Sequence, residues 1–421
     1  MGKIMAFLRD EENMQKYYFG LALIFVVGLV FQDMSKLPMT AALSLSSFFV
    51  LISGNWSAKW KRLKARPVIL FLLAYYFLHW VGMSYSEDLD LAGRILSLKV
   101  SLLLFGVVWS VVDLTVDQIK KVLVTFVLAC FIASVFDLFL ALLRYLESGD
   151  IVEFLYHKLS VIFPNKKNYL SIYYTFSAFI MIAFAIRPPV WLKVRWVYIF
   201  AIVWFTAMVL LLGARAQLLS MLIVGPVLFM YYFKGRISSW KIWLGAIAFF
   251  TLLSAVIIVN PVTRPKVVES VDELKQLLSP DGGKNTNPRI YIWDYGMAQI
   301  SQQSILFGAG TGDAVHELQT RMQDCEIQFW LGDGYYLLRD KNLNYHNEYM
   351  EALATLGIPA LLLLVLVIIL PLLRHKNQSQ IFLMFILLMM ISFLTESALE
   401  RQAGLLFFAF FYPFLLQRKL N

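Results

Sequence analysis

The sequence predicts an all-α polytopic membrane protein of about twelve transmembrane helices, interrupted once by a large helical loop. Hydrophobic residues make up 59% of the 421 positions and charged residues 15%, and the mean hydropathy is +0.67. A soluble chain of this length is far more polar. Continuous apolar runs recur along the chain, and they exclude a transmembrane β-barrel, whose strands alternate apolar and polar side chains. One long, ordinary stretch, residues 261–350, stands between the ninth run and the tenth and predicts the loop.

The expected spans lie near 17–34, 37–54, 67–84, 95–112, 122–143, 168–186, 196–213, 216–233, 242–260, 352–372, 381–397 and 403–416. This divides the chain into a first membrane unit (1–260, spans one to nine), a loop (261–350) and a second membrane unit (351–421, spans ten to twelve). An even number of spans puts both termini on one side. To that side fall Lys59, Lys61, Arg62, Lys64 and Arg66, then Lys120, Lys121, Arg187, Lys193, Arg195, Lys234, Arg236, Lys241, Arg374, Lys376, Arg418 and Lys419. The positive-inside rule makes it cytoplasmic. The loop is then expected outside the cytoplasm, together with "SEDLDLAG" (85–92) and the turn after Leu212.

The formal charge of +9 is therefore a topology signal and gives no reason to expect nucleic acid. Residues 1–16 hold Asp10, Glu11 and Glu12 without a small-residue cleavage site, so the first span is expected to be its own signal. Cys130 within a span and Cys325 in the loop sit at different depths and are expected as free thiols.

Within the loop, Val267, Val268, Val271, Leu274, Leu277 and Leu278 recur at helical period and stop before Pro280. "DGGKNTN" (281–287) breaks the chain. "NPRIYIWDYGMAQI" restarts a helix with Asn287 as a candidate cap and Pro288 at its first position. Arg289 and Trp293, four apart, share a face and are positioned to stack. "FGAGTGD" (307–313) reads as a glycine turn, with exposure of backbone amides to a phosphate as the alternative.

Three residues carry candidate chemistry on the outer face. Arg215 stands where one span exits and the next enters, and a permanent charge there needs an anion, from a substrate or from lipid phosphate. Arg289 is a second guanidinium, and solvation is its plain alternative. His346 opens the tenth span, flanked by Tyr345 and Asn347 as possible orienting groups. An imidazole changes charge in the physiological range, so it can take a proton from a hydroxyl at the membrane surface, although a lone histidine also serves structural roles. "TESALERQAG" (395–404) brings Glu396, Glu400 and Arg401 to a spacing that one helix face can hold. Asp88 and Asp90 form an acidic pair whose plain reading is a solvated loop rather than a metal site. Lys166 and Lys167 in "FPNKKN" could grip acidic groups or simply face water. No nucleotide-binding loop, zinc signature or serine elbow is present. Chemistry outside the cytoplasm without ATP needs an activated donor such as a polyprenyl-pyrophosphate sugar.

On "ARAQLL" (214–219), "NPRIYIWDYGMAQI" followed by "GAG", and "YHNEYMEALATLGIPAL", the chain resembles the O-antigen ligase family, which is related to the O-antigen polymerases. The resemblance extends to about twelve spans, cytoplasmic termini and one large periplasmic loop, in a GT-C-like glycosyltransferase arrangement. It implies a multi-pass protein of the bacterial inner membrane with its active site facing the periplasm. The implied donor is undecaprenyl-pyrophosphate-linked O-antigen and the implied acceptor lipid A–core, in contact with membrane lipids and with no metal or other cofactor. It places the catalytic histidine at His346 and pyrophosphate-binding arginines at Arg215 and Arg289, with Tyr345, Asn347, Glu396 and Arg401 in support. A polymerase of the related family is the alternative, and a flippase a more distant one, since transporters gather polar groups at mid-membrane, whereas here most candidate groups collect at the outer edge and in the loop, with Asp137 in span five as an exception to check.

Overall fold

The computed structural model describes residues 11–161, 167–233, 238–259, 264–265, 268, 271–272, 275, 288–330, 335–340, 343–374 and 378–420. Among the described residues, ten longer helices precede the loop: α1 (Glu11–Val30), α2 (Leu37–Ile52), α3 (Trp56–Lys64), α4 (Pro67–Met83), α5 (Leu89–Val111), α6 (Val116–Ser148), α7 (Lys167–Ile186), α8 (Arg195–Leu212), α9 (Arg215–Phe233) and α10 (Ser239–Val259), with one further helical turn, Tyr156–Leu159, between α6 and α7. The loop contributes α11 (Pro288–Gln302), α12 (Ala314–Arg321) and an antiparallel hairpin of β1 (Gln328–Trp330) and β2 (Tyr335–Leu337). Then follow α13 (Glu348–Leu373), α14 (Gln380–Phe393) and α15 (Gln402–Leu415).

Each expected apolar stretch coincides with one helix. Among the described residues, six of them (α1, α5, α6, α7, α8 and α13) are long and apolar enough to cross a membrane, or seven spans if α2 and α3, bent by 116°, count as one. Helices α4, α14 and α15 are apolar but shorter. The 14 residues of α15 rise about 21 Å, less than the roughly 30 Å of hydrocarbon. The chain is thus an all-α polytopic membrane protein, although apolar character runs past the helix ends, so that span eleven as expected (381–397) includes a turn.

Burial explains the centre. Helix α15 is buried on every side, as a helix without a polar stripe must be. Its phenylalanines meet rings from four other helices: Phe410 with Phe25 at 4.6 Å and Trp109 at 5.3 Å, and Phe411 with Phe126 at 5.0 Å and Phe176 at 5.1 Å. Such pairs add about 0.5–1.5 kcal/mol each beyond area burial. Outward faces carry exposed Leu128, Ile132, Phe139, Ile199 and Val203, suited to lipid.

The helix ends are built by local chemistry. Asp88 caps α5, its Oδ1 accepting from Leu91 N at 2.8 Å, so this acid of the 88/90 pair is engaged as a cap. Thr115 and Gln118 form a capping box on α6. Helix α13 breaks at Gly357 (φ 70°), two residues before Pro359. Proline has no amide to offer the carbonyl of Thr355, and the break frees others. The glycine turn fills the gap: Ala309 N donates to Ala354 O and Gly310 N to Thr355 O, both at 2.9 Å, and Ile358 N donates to Ile305 O at 2.9 Å. Gly312 N is also engaged, by Ser86 Oγ at 3.0 Å. The turn reading of "FGAGTGD" therefore holds and the phosphate alternative falls, because these amides are already bonded.

A second apolar cluster joins α11, α12 and the turn after β2 to the start of α13, through Ile292, Ile300, Leu318, Met322, Leu338 and Tyr345. The hairpin departs from the expected all-helical loop. Its aromatic strands, Gln328-Phe329-Trp330 and Tyr335-Tyr336-Leu337, favour a pleated surface. Cys130 and Cys325 are buried, unbridged thiols. The expected cap Asn287, the "DGGKNTN" break and Lys166 lie outside the described residues, as does most of the 267–278 helix.

Candidate functional site

Four segments converge beside the start of α13: the residues before that helix, the turn from α14 to α15, the first turn of α11 and the first turn of α7. Asn347 is the N-cap of α13. Its Oδ1 accepts from Tyr349 N at 3.0 Å and Met350 N at 3.1 Å. Its own amide donates to Ser397 Oγ at 3.2 Å, and its Nδ2 to Leu394 O at 3.3 Å. One side chain therefore starts the helix and ties it to the α14–α15 turn.

His346 precedes this cap with a left-handed backbone (φ 47°), a conformation uncommon for a residue with a Cβ. It is held there by its neighbours: its amide donates to Asn344 Oδ1 at 3.2 Å, and the preceding carbonyl, Tyr345 O, accepts from Trp293 Nε1 at 2.9 Å. Its side chain is 26% exposed, with Nδ1 buried 3.5 Å from Glu396 Oε2.

Glu396 is the hub. Its side chain is 8% exposed, and Oε1 accepts from Arg289 Nη2 at 2.6 Å and from Asn168 Nδ2. Burial works to raise its carboxyl, but the His346 imidazole, the Arg289 guanidinium and the Asn168 amide together hold it below the ordinary carboxylate range.

Of the expected residues, His346, Arg289, Asn347 and Glu396 thus meet at one point. Tyr345 is adjacent in the chain but turns away: its hydroxyl sits 2.6 Å from Gln299 Oε1 and 2.9 Å from Ala314 O. Burial, then the charge of Glu351, pushes its phenol far above the ordinary value, and its two hydrogen bonds anchor the loop. Trp293 likewise bonds the Tyr345 carbonyl, on the same helical face as Arg289. Arg215 opens α9, half-buried, at the same end of the bundle. There Gln217 Nε2 reaches Ser392 Oγ at 3.3 Å, and Ser392 O accepts the Glu396 amide at 3.0 Å. The bend before Arg215 needs Gly213 (φ 60°), where a Cβ would stand 2.6 Å from the Tyr156 ring. Lys167 Nζ lies 5.3 Å from the centre of that same ring.

Glu396, Glu400 and Arg401 do not share a helical face. The α14 helix ends at Phe393, and residues 394–401 form a turn with one 3-10 segment. Glu396 enters the site, Glu400 points into the bundle and Arg401 is exposed. Glu400 pairs with Lys99, which is fully buried. Glu348 Oε2 accepts from Leu399 N at 2.8 Å beside them. Sequence reasoning passed over Lys99, Glu348, Glu351 and Asn168. A signal existed for Lys99, since a lysine inside the apolar run "RILSLKVSLLLFG" demands a buried anion. Asp137 accepts from Val161 N at 3.0 Å, which closes the connection after α6.

No curated protein matches the chain. Residues 200–365 match a family model described as O-antigen ligase. That stretch contains Arg215, Arg289 and His346, whereas Asn168, Glu396 and Arg401 lie outside it. The match supports a membrane enzyme that transfers glycosyl chains, of the ligase or polymerase kind, acting with lipid-linked polysaccharide. The resemblance to the O-antigen ligase family read from three short motifs holds for this multi-pass membrane protein over residues 200–365.

Proposed function

We propose that the protein is an O-antigen ligase, transferring a preassembled O-antigen from undecaprenyl pyrophosphate to a sugar hydroxyl of lipid A–core at the periplasmic face of the inner membrane. The observation that carries this reading is the meeting of His346, Glu396 and Arg289 at the start of α13. With Nδ1 turned to a carboxylate, the imidazole presents Nε2 to the acceptor. Nε2 takes the hydroxyl proton as the oxygen bonds to the anomeric carbon. The bond from that carbon to the pyrophosphate breaks on the opposite face, its electron pair leaving with the phosphate, so the anomeric centre inverts. The negative charge of Glu396 stabilises the imidazolium that forms.

A guanidinium has five donors in a planar fork, a geometry suited to phosphate, so in this reading Arg289 binds an anion as well as Glu396. Arg215 supplies a second fork at the same end. Together they bind the pyrophosphate and meet the charge that grows on it as it leaves. In this reading no metal takes part.

The test is a lipopolysaccharide gel, with lipid-linked glycans assayed alongside, from a deletion strain and its complemented derivatives. A ligase predicts loss of the core-attached ladder with accumulation of long lipid-linked polymer. Core bearing a single repeat would instead identify a polymerase, and trapping of single lipid-linked units on the cytoplasmic side a flippase.

A further inference from the structure

The segment Ile305-Leu306-Phe307 exposes three large apolar side chains in a row, at 51%, 55% and 62%. It is not a solvent loop by position. Its backbone is bonded into the break of α13, through Ile305 O to Ile358 N, and into the end of α4, where Tyr85 Oη donates to Phe307 O at 2.6 Å. The depth of those two helix ends can be measured from the far side of the bundle. Residues 358–373 run from the break to Arg374, and at helical rise they cover about 24 Å. Helix α4, the 17 residues that follow Arg66, covers about 25 Å. Both fall short of the roughly 30 Å of hydrocarbon, so the acyl region extends to or beyond the level of Gly357 and Met83.

The chemistry of the segment fits that depth. No charged residue occurs from 303 to 312. In lipid, backbone polar groups need partners within the protein, and much of this stretch has them: Phe307 N and Gly308 N donate to Ser304 O, and Ala309 N and Gly310 N donate into the break of α13. The first charge after the segment, Asp313, is already on the polar side, accepting from Glu87 N at 2.8 Å and Asp88 N at 2.9 Å.

We propose that Ile305–Phe307 is a wedge seated among the acyl chains of the leaflet on the loop side, which fixes the height of the loop above the membrane. From the break at Gly357, residues 348–356 of α13 have a contour of about 14 Å. The wedge therefore sets His346 at headgroup level, where the polar ends of lipid-borne molecules lie. The inference rests on the membrane-spanning fold and not on which sugar transfer the site performs.

The test is spin-label accessibility in nanodiscs of phosphatidylethanolamine and phosphatidylglycerol, using Phe307→Cys. Cys130 and Cys325 are buried, which confines labelling to the introduced thiol. Ile132→Cys on the outward face of α6 serves as the lipid reference and Gln323→Cys as the water reference. The expected result is broadening by oxygen with loss of broadening by a water-soluble nickel chelate, matching position 132. Nickel broadening like that at position 323 would overturn the proposal, and so would protection from both reagents, which would mean that protein covers the segment. Leu306→Cys repeats the test if Phe307→Cys does not accumulate.

Discussion

Glu396 and Glu400 stand four residues apart in one turn and have opposite surroundings. Around Glu396 the partners are Arg289, Asn168 and His346, and the arginine and the histidine keep 32% and 26% of their side chains exposed. Around Glu400 the partner is Lys99, closed off from solvent within the bundle. The first cluster opens to solvent through its two cations and can exchange partners, whereas the second keeps its cation fully inside the bundle against a carboxylate only 14% exposed. The difference teaches that one turn joins two tasks, with the inner pair holding the backbone on which the open cluster is arranged. Ser397, Leu399 and Asn347 connect them through hydrogen bonds.

The largest expected effect separates chemistry from folding. His346→Ala should lower transfer by about 10²–10⁴-fold, the range for loss of a general base, with membrane abundance unchanged on immunoblots. Wild-type ladder intensity on the gel would remove the base assignment. On the inner side, Lys99→Met should cost about 3–5 kcal/mol by leaving a buried carboxylate unpaired. It should appear as lost abundance and a lower melting temperature in detergent. Adding Glu400→Leu should restore much of that loss, because a packed apolar pair often replaces a buried ion pair. A Lys99→Met variant as stable as wild type would break the contrast between the two clusters.

Glu396→Gln keeps the shape and removes the charge. It should slow transfer about tenfold, the kinetic equivalent of about 1.4 kcal/mol. Its effect on stability should depend on pH with a defined sign. The folded carboxyl is held below its ordinary range, so its stabilising contribution is fully present above that range and disappears as pH falls through the lowered folded value. The melting-temperature gap between wild type and Glu396→Gln should be constant near neutrality and close only in acid below the usual glutamate range. A gap that closes at higher pH would contradict this environment for Glu396. The smallest effect is expected at Arg401, exposed on the shoulder of the turn. Arg401→Ala should change stability by less than about 0.5 kcal/mol and leave the ladder intact, so a strong transfer defect would give this arginine a role that its exposure does not suggest.

Apolar runs made the helices legible, because a membrane solvent demands them almost residue by residue. Residues 394–401 were less so, since "LTESALERQAG" carries no periodic signal that separates a helix end from a turn. At the site, motifs drew attention to Arg215, Arg289 and His346. They could not tell that Tyr345 turns away from the imidazole, because that depends on a pocket formed by Gln299 and Ala314 from another part of the chain. The pairing of Lys99 with Glu400 joins residues 301 positions apart. A buried lysine announces that it needs an anion but not which one. The hairpin at 328–337 is too short for alternation to distinguish it from an aromatic loop.

The most direct test of the account is a double-mutant cycle between His346 and Glu396, measured as transfer by purified protein in liposomes holding donor and acceptor lipids. If Glu396 acts on the reaction by charging and orienting the imidazole, Glu396→Gln should cost about tenfold in the wild-type background and almost nothing in His346→Ala. Equal, additive losses in the two backgrounds would show that the carboxylate acts independently of His346 and would contradict the central claim.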